Sequence, residues 1–239
     1  MRNESRKKTR DAEKRIMNSQ QPKKKFDWVR RILKPIVFVA ALVPIVVLTY
    51  RFFNDQLSAN PLDDITDETG TWTIRFIVAT LAVTPLQSLT KWSRIAALRR
   101  MIGNFAFFYG SMHFFTYLYF DKFFEWGEIL LDIPKRRFIL VGFSTWLSML
   151  PLALTSTDRI TKWMGGKRWK KLHRLMYAVG VFAVVHYMWL VKSDITRPSI
   201  YGAIVAFTFG VRIYYWLKPR IAAKKTIVPK PVAAPSSAD

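Results

Sequence analysis

The chain has no cysteine. Disulfides, thiolate metal sites and iron–sulfur clusters are thereby excluded. Acidic residues are scarce too: 16 Asp and Glu stand against 38 Lys and Arg, a formal net charge of +22 over 239 residues. No G-x-G-x-x-G follows a strand, and no Walker sequence is present. The chain therefore carries no recognisable site for a nicotinamide nucleotide or ATP. Histidine occurs only three times, at His113, His173 and His186.

Half of the residues are hydrophobic (51%), which sits badly with such a charge unless the two kinds are segregated along the chain. They are. Six apolar stretches have the length of membrane helices: Pro35–Tyr50, Trp72–Thr90, Met101–Phe120, Phe138–Leu154, Leu172–Val191 and Ile200–Leu217. Tryptophans cluster near their ends, among them Trp28, Trp72, Trp92, Trp146, Trp169, Trp189 and Trp216, as in an interfacial belt. The sequence thus predicts an all-α, six-helix integral membrane bundle over residues 35–217. A basic arm, largely disordered, precedes it (1–34), and a loose tail rich in Pro, Ala and Ser closes the chain (218–239). Segment one is read as an uncleaved anchor, since no A-x-A-like site follows it closely.

The basic residues lie in alternating connections. The arm, the loop after segment two (Lys91, Arg94, Arg99, Arg100), the loop after segment four (Arg159, Lys162, Lys167, Arg168, Lys170, Lys171) and the tail carry them. The intervening connections are acidic: Asp55, Asp63, Asp64, Asp67 and Glu68 in one, Asp121, Glu125, Glu128 and Asp132 in the other. This alternation signals topology rather than nucleic-acid binding, and it places both termini in the cytoplasm (N-in, C-in). The longest connection, Arg51–Thr71, is expected to be an outward-facing loop.

His113 and His186 lie inside apolar runs, where an imidazole is costly and usually functional. Segments three and five run in the same direction, so both rings sit at a similar depth, in the outer half of the bilayer. Haem iron takes two axial nitrogens from helices facing across it, and the depths meet that requirement. Spacing alone also leaves open a proton relay, or two unrelated hydrogen-bonded polar residues. His173 lies thirteen residues before His186, about 20 Å along a helix axis. A second haem there would need a partner near Arg99 or Arg100, which is not a usual ligand, and an ideal helix would leave the two imidazoles about 140° apart. Gly180 between them offers a place for a local bulge. Gly103 and Gly110 offer close approach to a macrocycle or to another helix.

LAVTPL (Leu81–Leu86), RRMIGNFAFFYGSMHFFTY (Arg99–Tyr117), the run from Arg136 through Ser156, and GGKRWKKLHRLMYAVGVFAVVHYMWLVK (Gly165–Lys192) resemble the MsrQ (YedZ) family, within the wider ferric-reductase-like transmembrane group. The W-x-x-LH-R-L-x-Y…HY-x-W-x-x-K pattern is the most specific of these. The resemblance implies b-type haem, one or two, held through His113, His173 and His186, together with FMN. It implies an inner-membrane subunit that passes electrons from a cytoplasmic flavin reductase, or from quinol, to a periplasmic molybdopterin subunit reducing oxidised methionine. Two departures stand out: the basic arm is longer than the family leads one to expect, and Gln87 stands where a basic residue is common. With no nucleotide domain, the chain is expected to be an electron conduit with partners on both faces. The competing expectations are a self-contained ferric or quinone reductase with the same haem core, and a transporter using the histidines as relays.

Overall fold

The computed structural model describes residues 28–191 and 193–226; the first 27 residues of the basic arm and the tail from 227 onward lie outside the described residues. Every regular element among the described residues is helical. A π-helical turn (Val29–Leu33) leads into α1 (Lys34–Phe53). Then come α2 (Pro61–Thr90), a 3-10 turn (Ser93–Leu98) and α3 (Arg99–Thr116), which runs on as a π-helical turn (Tyr117–Asp121). They are followed by α4 (Trp126–Lys135), α5 (Arg137–Leu154), α6 (Asp158–Met164), α7 (Gly166–Leu172), α8 (Leu175–Leu190) and α9 (Thr196–Thr226).

Five of the six apolar stretches are therefore helical throughout, and the fifth, Leu172–Val191, is helical apart from a break at His173–Arg174 and its last residue. By length and composition four helices suffice to cross a membrane: Val29–Phe53, Pro61–Thr90, Arg137–Leu154 and Thr196–Lys218. The two that bear His113 and His186 are marginal by that measure. Helix α8 has only 16 residues, roughly 24 Å of rise, and α3 opens on Arg99 and Arg100.

The connection Arg51–Thr71 is not the expected loop. From Pro61 onward it is the first third of α2, with Asp63 and Asp64 in the first turn. Proline at the first helical turn costs no hydrogen bond, and carboxylates there meet the positive end of the helix dipole. These local preferences outweigh the polarity of the stretch. At the other end of the chain, α9 continues past Leu217 to Thr226, so the first part of the expected tail is helical.

Helices α2, α3, α5 and α8 form a four-membered ring in which α2 packs on α3, α3 on α5, α5 on α8 and α8 on α2, with α9 lying against α2 and α8. Ile74, Ile77, Leu81, Ala106, Met149, Val179, Ala183, Val184 and Val205 make the shared core. Burial of hydroxyls on α2 is made tolerable by back-bonding: Thr69 to Ile65, Thr73 to Thr69 and Thr80 to Phe76, each at 2.7 Å. Gly103 and Gly110 serve helix approach. A Cβ on Gly110 would meet Met149 Cε at 2.9 Å and Thr73 Cγ2 at 3.3 Å, and one on Gly103 would meet Thr80 Cγ2 at 3.6 Å.

Pro85 lies inside α2 and has no amide hydrogen to offer Leu81, four residues earlier. The vacant acceptor is taken by another helix: Arg212 Nη2 of α9 donates to the Leu81 carbonyl at 2.6 Å. The same guanidinium lies 4.8 Å from the Tyr177 ring centre.

At the acidic end, Asp132 accepts from Arg136 and, at 2.9 Å, from the Tyr117 hydroxyl. Arg136 also donates to Asp121 at 2.9 Å. The hydrogen-bonded guanidinium holds the Asp132 carboxyl below its ordinary value. A carboxylate depressed in the folded state stabilises above its unfolded pKa, and the contribution disappears as pH falls through the folded value. Asp132→Asn should therefore lower the melting temperature of detergent-purified protein by about 2–4 °C at neutral pH. The gap should close as pH drops below about 4; a gap independent of pH would show that the carboxylate charge is not what stabilises.

Candidate metal centre

His113 sits near the end of α3 and His186 near the end of α8, diagonally across the four-helix ring. Their ring centroids are 6.1 Å apart, with planes at 77°. Both rings are anchored in the same manner. His113 Nδ1 lies 3.0 Å from the Thr66 carbonyl of α2, and His186 Nδ1 lies 2.7 Å from the Phe138 carbonyl of α5. A carbonyl only accepts, so each Nδ1 carries the proton and each Nε2 keeps its lone pair.

The close approach has a cause in sequence. Four residues beyond Thr66 is Gly70, and four beyond Phe138 is Gly142, one turn along the same helix face. A Cβ on Gly70 would lie 3.0 Å from His113 Cε1, and one on Gly142 would lie 2.7 Å from His186 Nδ1. Each imidazole thus occupies the space left by a missing side chain and reaches the carbonyl beneath it. Gly70, Gly142, Thr66 and Phe138 were not legible as site residues. The only cue was a glycine four residues after the carbonyl, which means nothing without its partner helix.

The donor set fits a haem. Metal–imidazole bonds run about 2.0–2.1 Å, so two imidazoles that shared one metal would lie roughly 6 Å apart between centroids. The observed separation is of that size, and both free nitrogens are of the type that ligates iron. No group of three His, Cys, Asp or Glu that could hold an ion by itself occurs among the described residues. Aromatic side chains close the flank between α3 and α5: Phe114 lies 4.8 Å from Trp146 and 5.7 Å from Phe143. Trp146 Nε1 donates to Ser111 Oγ at 3.0 Å.

His173 stands apart from this pair. It marks the break between α7 and α8, where Met176 N reaches the His173 carbonyl and Tyr177 N the Arg174 carbonyl. The departure from an ideal helix is thus at His173, while Gly180 lies inside regular α8, where its missing Cβ admits Leu81 Cδ1. The imidazole stacks on Trp169 with centroids 3.8 Å apart, and its Nδ1 lies 3.1 Å from the Trp169 carbonyl. Its Nε2 is buried without a hydrogen-bond partner. Buried polar atoms rarely stay unpaired, and each one calls for a reason. Around it the basic end gathers. Arg100 lies 5.4 Å from the Trp169 ring centre and is paired with Asp158, while Arg99 donates to Thr84 Oγ1 at 3.2 Å. The hydrogen-bonded Arg100 holds the Asp158 carboxyl below its usual range.

Comparison with known proteins places this geometry. Residues 69–184 match the ferric reductase like transmembrane component. The protein-methionine-sulfoxide reductase haem-binding subunit MsrQ of Herminiimonas arsenicoxydans is 47% identical over 190 residues, 78% of this chain and 87% of the relative. The protein of that name from Bordetella pertussis (strain Tohama I) is 42% identical over 194 residues, 80% of this chain and 94% of the relative. That from Rhodospirillum rubrum is 43% identical over 183 residues, 77% and 88%. No solved structure matches. With the histidine pair held across a helical ring and relatives this similar over most of the sequence, the chain belongs to the MsrQ family of haem-binding subunits, a branch of the ferric-reductase-like membrane components.

Proposed function

We propose that this chain is a b-haem electron-transfer subunit of the bacterial inner membrane. It carries electrons from a cytoplasmic donor, a flavin reductase or quinol, to a periplasmic methionine sulfoxide reductase catalytic subunit. In this reading six helices span the bilayer, both termini are cytoplasmic, and the acidic end faces the periplasm. The observation that carries it is the His113–His186 pair, with Nδ1 tied to main-chain carbonyls and centroids 6.1 Å apart. Bound there, haem supplies reversible one-electron chemistry. The protein's part is to hold both rings in one tautomer and orientation, which raises their basicity as ligands, and to keep water out with Phe114, Phe143 and Trp146. A histidine relay is a poorer account, since a relay ring must exchange protons at both nitrogens and here one of them is fastened to a helix carbonyl.

His173 is assigned to the cytoplasmic side of the path. Its unpartnered Nε2 suits a second haem with an unusual or missing second ligand, and the basic side chains around it suit an FMN phosphate. With Arg100 engaged by Asp158, Arg99, Lys170 and Lys171 remain the better candidates for that anion.

Three outcomes test the assignment. His113→Ala and His186→Ala should each remove most of the haem ligated by the pair, scored as pyridine haemochrome per chain, and the double variant should lose little more. Full, spectrally unchanged haem in either single variant would overturn the pairing. In Gly142→Ala the new methyl displaces the His186 ring, so the low-spin spectrum should shift and haem retention fall several-fold, while Gly127→Ala, with open space around it, should leave both unchanged. His173→Ala should slow reduction by a cytoplasmic flavin reductase in stopped-flow traces while sparing the ligation spectrum of the paired site. Normal rates at normal haem content would reduce His173 to an interfacial side chain.

A further inference from the structure

Two arginines at the acidic end pair with no carboxylate among the described residues. Arg75 lies one turn inside Trp72 on α2, within an apolar helix long enough to span, and Arg197 opens α9. Arginine in a span is expensive and normally pairs. Among the described residues neither has a carboxylate within ion-pairing distance. Asp67 and Asp194 are close enough to feel Arg197 without pairing with it. The Arg75 guanidinium is instead spread over the Trp72 indole, 4.5 Å from its centre.

Both arginines line one cavity of about 250 Å³ in the groove between α2, α8 and α9, and Thr71, Tyr187, Ile200 and Tyr201 complete it. The wall is made of donors: two guanidinium forks, two phenols 6.3 Å apart between ring centres, and a threonine hydroxyl. No acidic side chain contributes to it. Such a lining selects a tetrahedral or planar oxyanion, which Arg binds in a bidentate manner. The groove opens on the outside of the bundle, where Ile200 and Ile204 are exposed. An anion held there lies beside the exposed apolar face of α9, a fit for one that carries a hydrocarbon tail.

We propose that this groove binds the phosphate of an anionic phospholipid in the leaflet at the acidic end, with Arg75 and Arg197 on the phosphate oxygens and the acyl chains along α9. The proposal rests on the membrane reading of the chain and not on its haem content. It has a structural corollary. Thr71 follows Gly70, which backs His113, and Tyr187 follows His186. A bound lipid would therefore brace from outside α8, which carries His186, and α2, whose Thr66 carbonyl anchors His113.

The test uses the full chain, purified in detergent and placed in nanodiscs of phosphatidylglycerol or of phosphatidylcholine. Native mass spectrometry counts the lipid retained through delipidation. Wild type should keep one phosphatidylglycerol, and Arg75→Gln with Arg197→Gln should weaken its retention at least about tenfold without changing the haem spectrum. Lys135→Gln, at the same end but outside the groove, should behave as wild type. Equal lipid retention in wild type and double variant overturns the proposal. So does displacement of the lipid by excess inorganic phosphate, which would make this a soluble-anion site. Loss of haem with lipid retained also overturns it, since the guanidiniums would then serve the haem carboxylates. A colourless wild type that still binds phosphatidylglycerol would sink the haem assignment and leave the lipid site standing.

Discussion

Two hydrogen bonds govern this molecule, each from a histidine ring to the main-chain carbonyl of a neighbouring helix across a glycine. They fix the tautomer and the orientation of each ring, and with them the 6.1 Å separation of the ring centres. They also choose the helix partners. Helix α3 must lie on α2 for His113 to reach Thr66, and α8 must lie on α5 for His186 to reach Phe138. The ring is two such pairs set against each other, built by one device used twice. A side chain at either glycine would collide with the imidazole laid over it and push that ring off its carbonyl.

Helix α2 is where the remaining constraints meet. It touches α1, α3, α8 and α9, and it buries threonines whose hydroxyls are satisfied within the helix itself. Self-satisfaction matters in a bundle surrounded by hydrocarbon, because no water is at hand for an unpaired donor. The His173 corner follows another rule. There the chain breaks its helix, stacks imidazole on indole, and leaves one ring nitrogen buried and unsatisfied at the basic end. An imidazole anchored through Nδ1 to a neighbouring helix and one stacked on its own helix's indole thus occupy opposite ends of the same helical stretch.

Much of this was legible in the residues. The six apolar runs became helices, the fifth with a break at His173–Arg174, and His113 and His186, picked out for lying in hydrocarbon, converge. What escaped was tertiary. The acidic stretch before Trp72 reads as loop by composition, yet Pro61 with Asp63 and Asp64 is a helix start of ordinary kind. The glycines that drew notice, Gly103 and Gly110, pack helix on helix. The pair that matters, Gly70 and Gly142, looked like unremarkable small residues, because their role exists only once another helix lays an imidazole over them. Arg212 was hidden for a related reason: a charge in an apolar run declares a purpose, but the carbonyl it serves, that of Leu81, lies 131 residues away.

The likeness to ferric reductases spans residues 69–184, which takes in most of α2 and stops within α8. The Leu81 carbonyl inside that unit, stranded by Pro85, is nevertheless satisfied by Arg212 from α9, beyond its border. The shared four-helix unit is therefore not self-sufficient in this chain. Excised at its family limits it would lose the donor that answers the Leu81 carbonyl. The last helix acts as a keystone, and it is what makes a proline affordable at the centre of the arch.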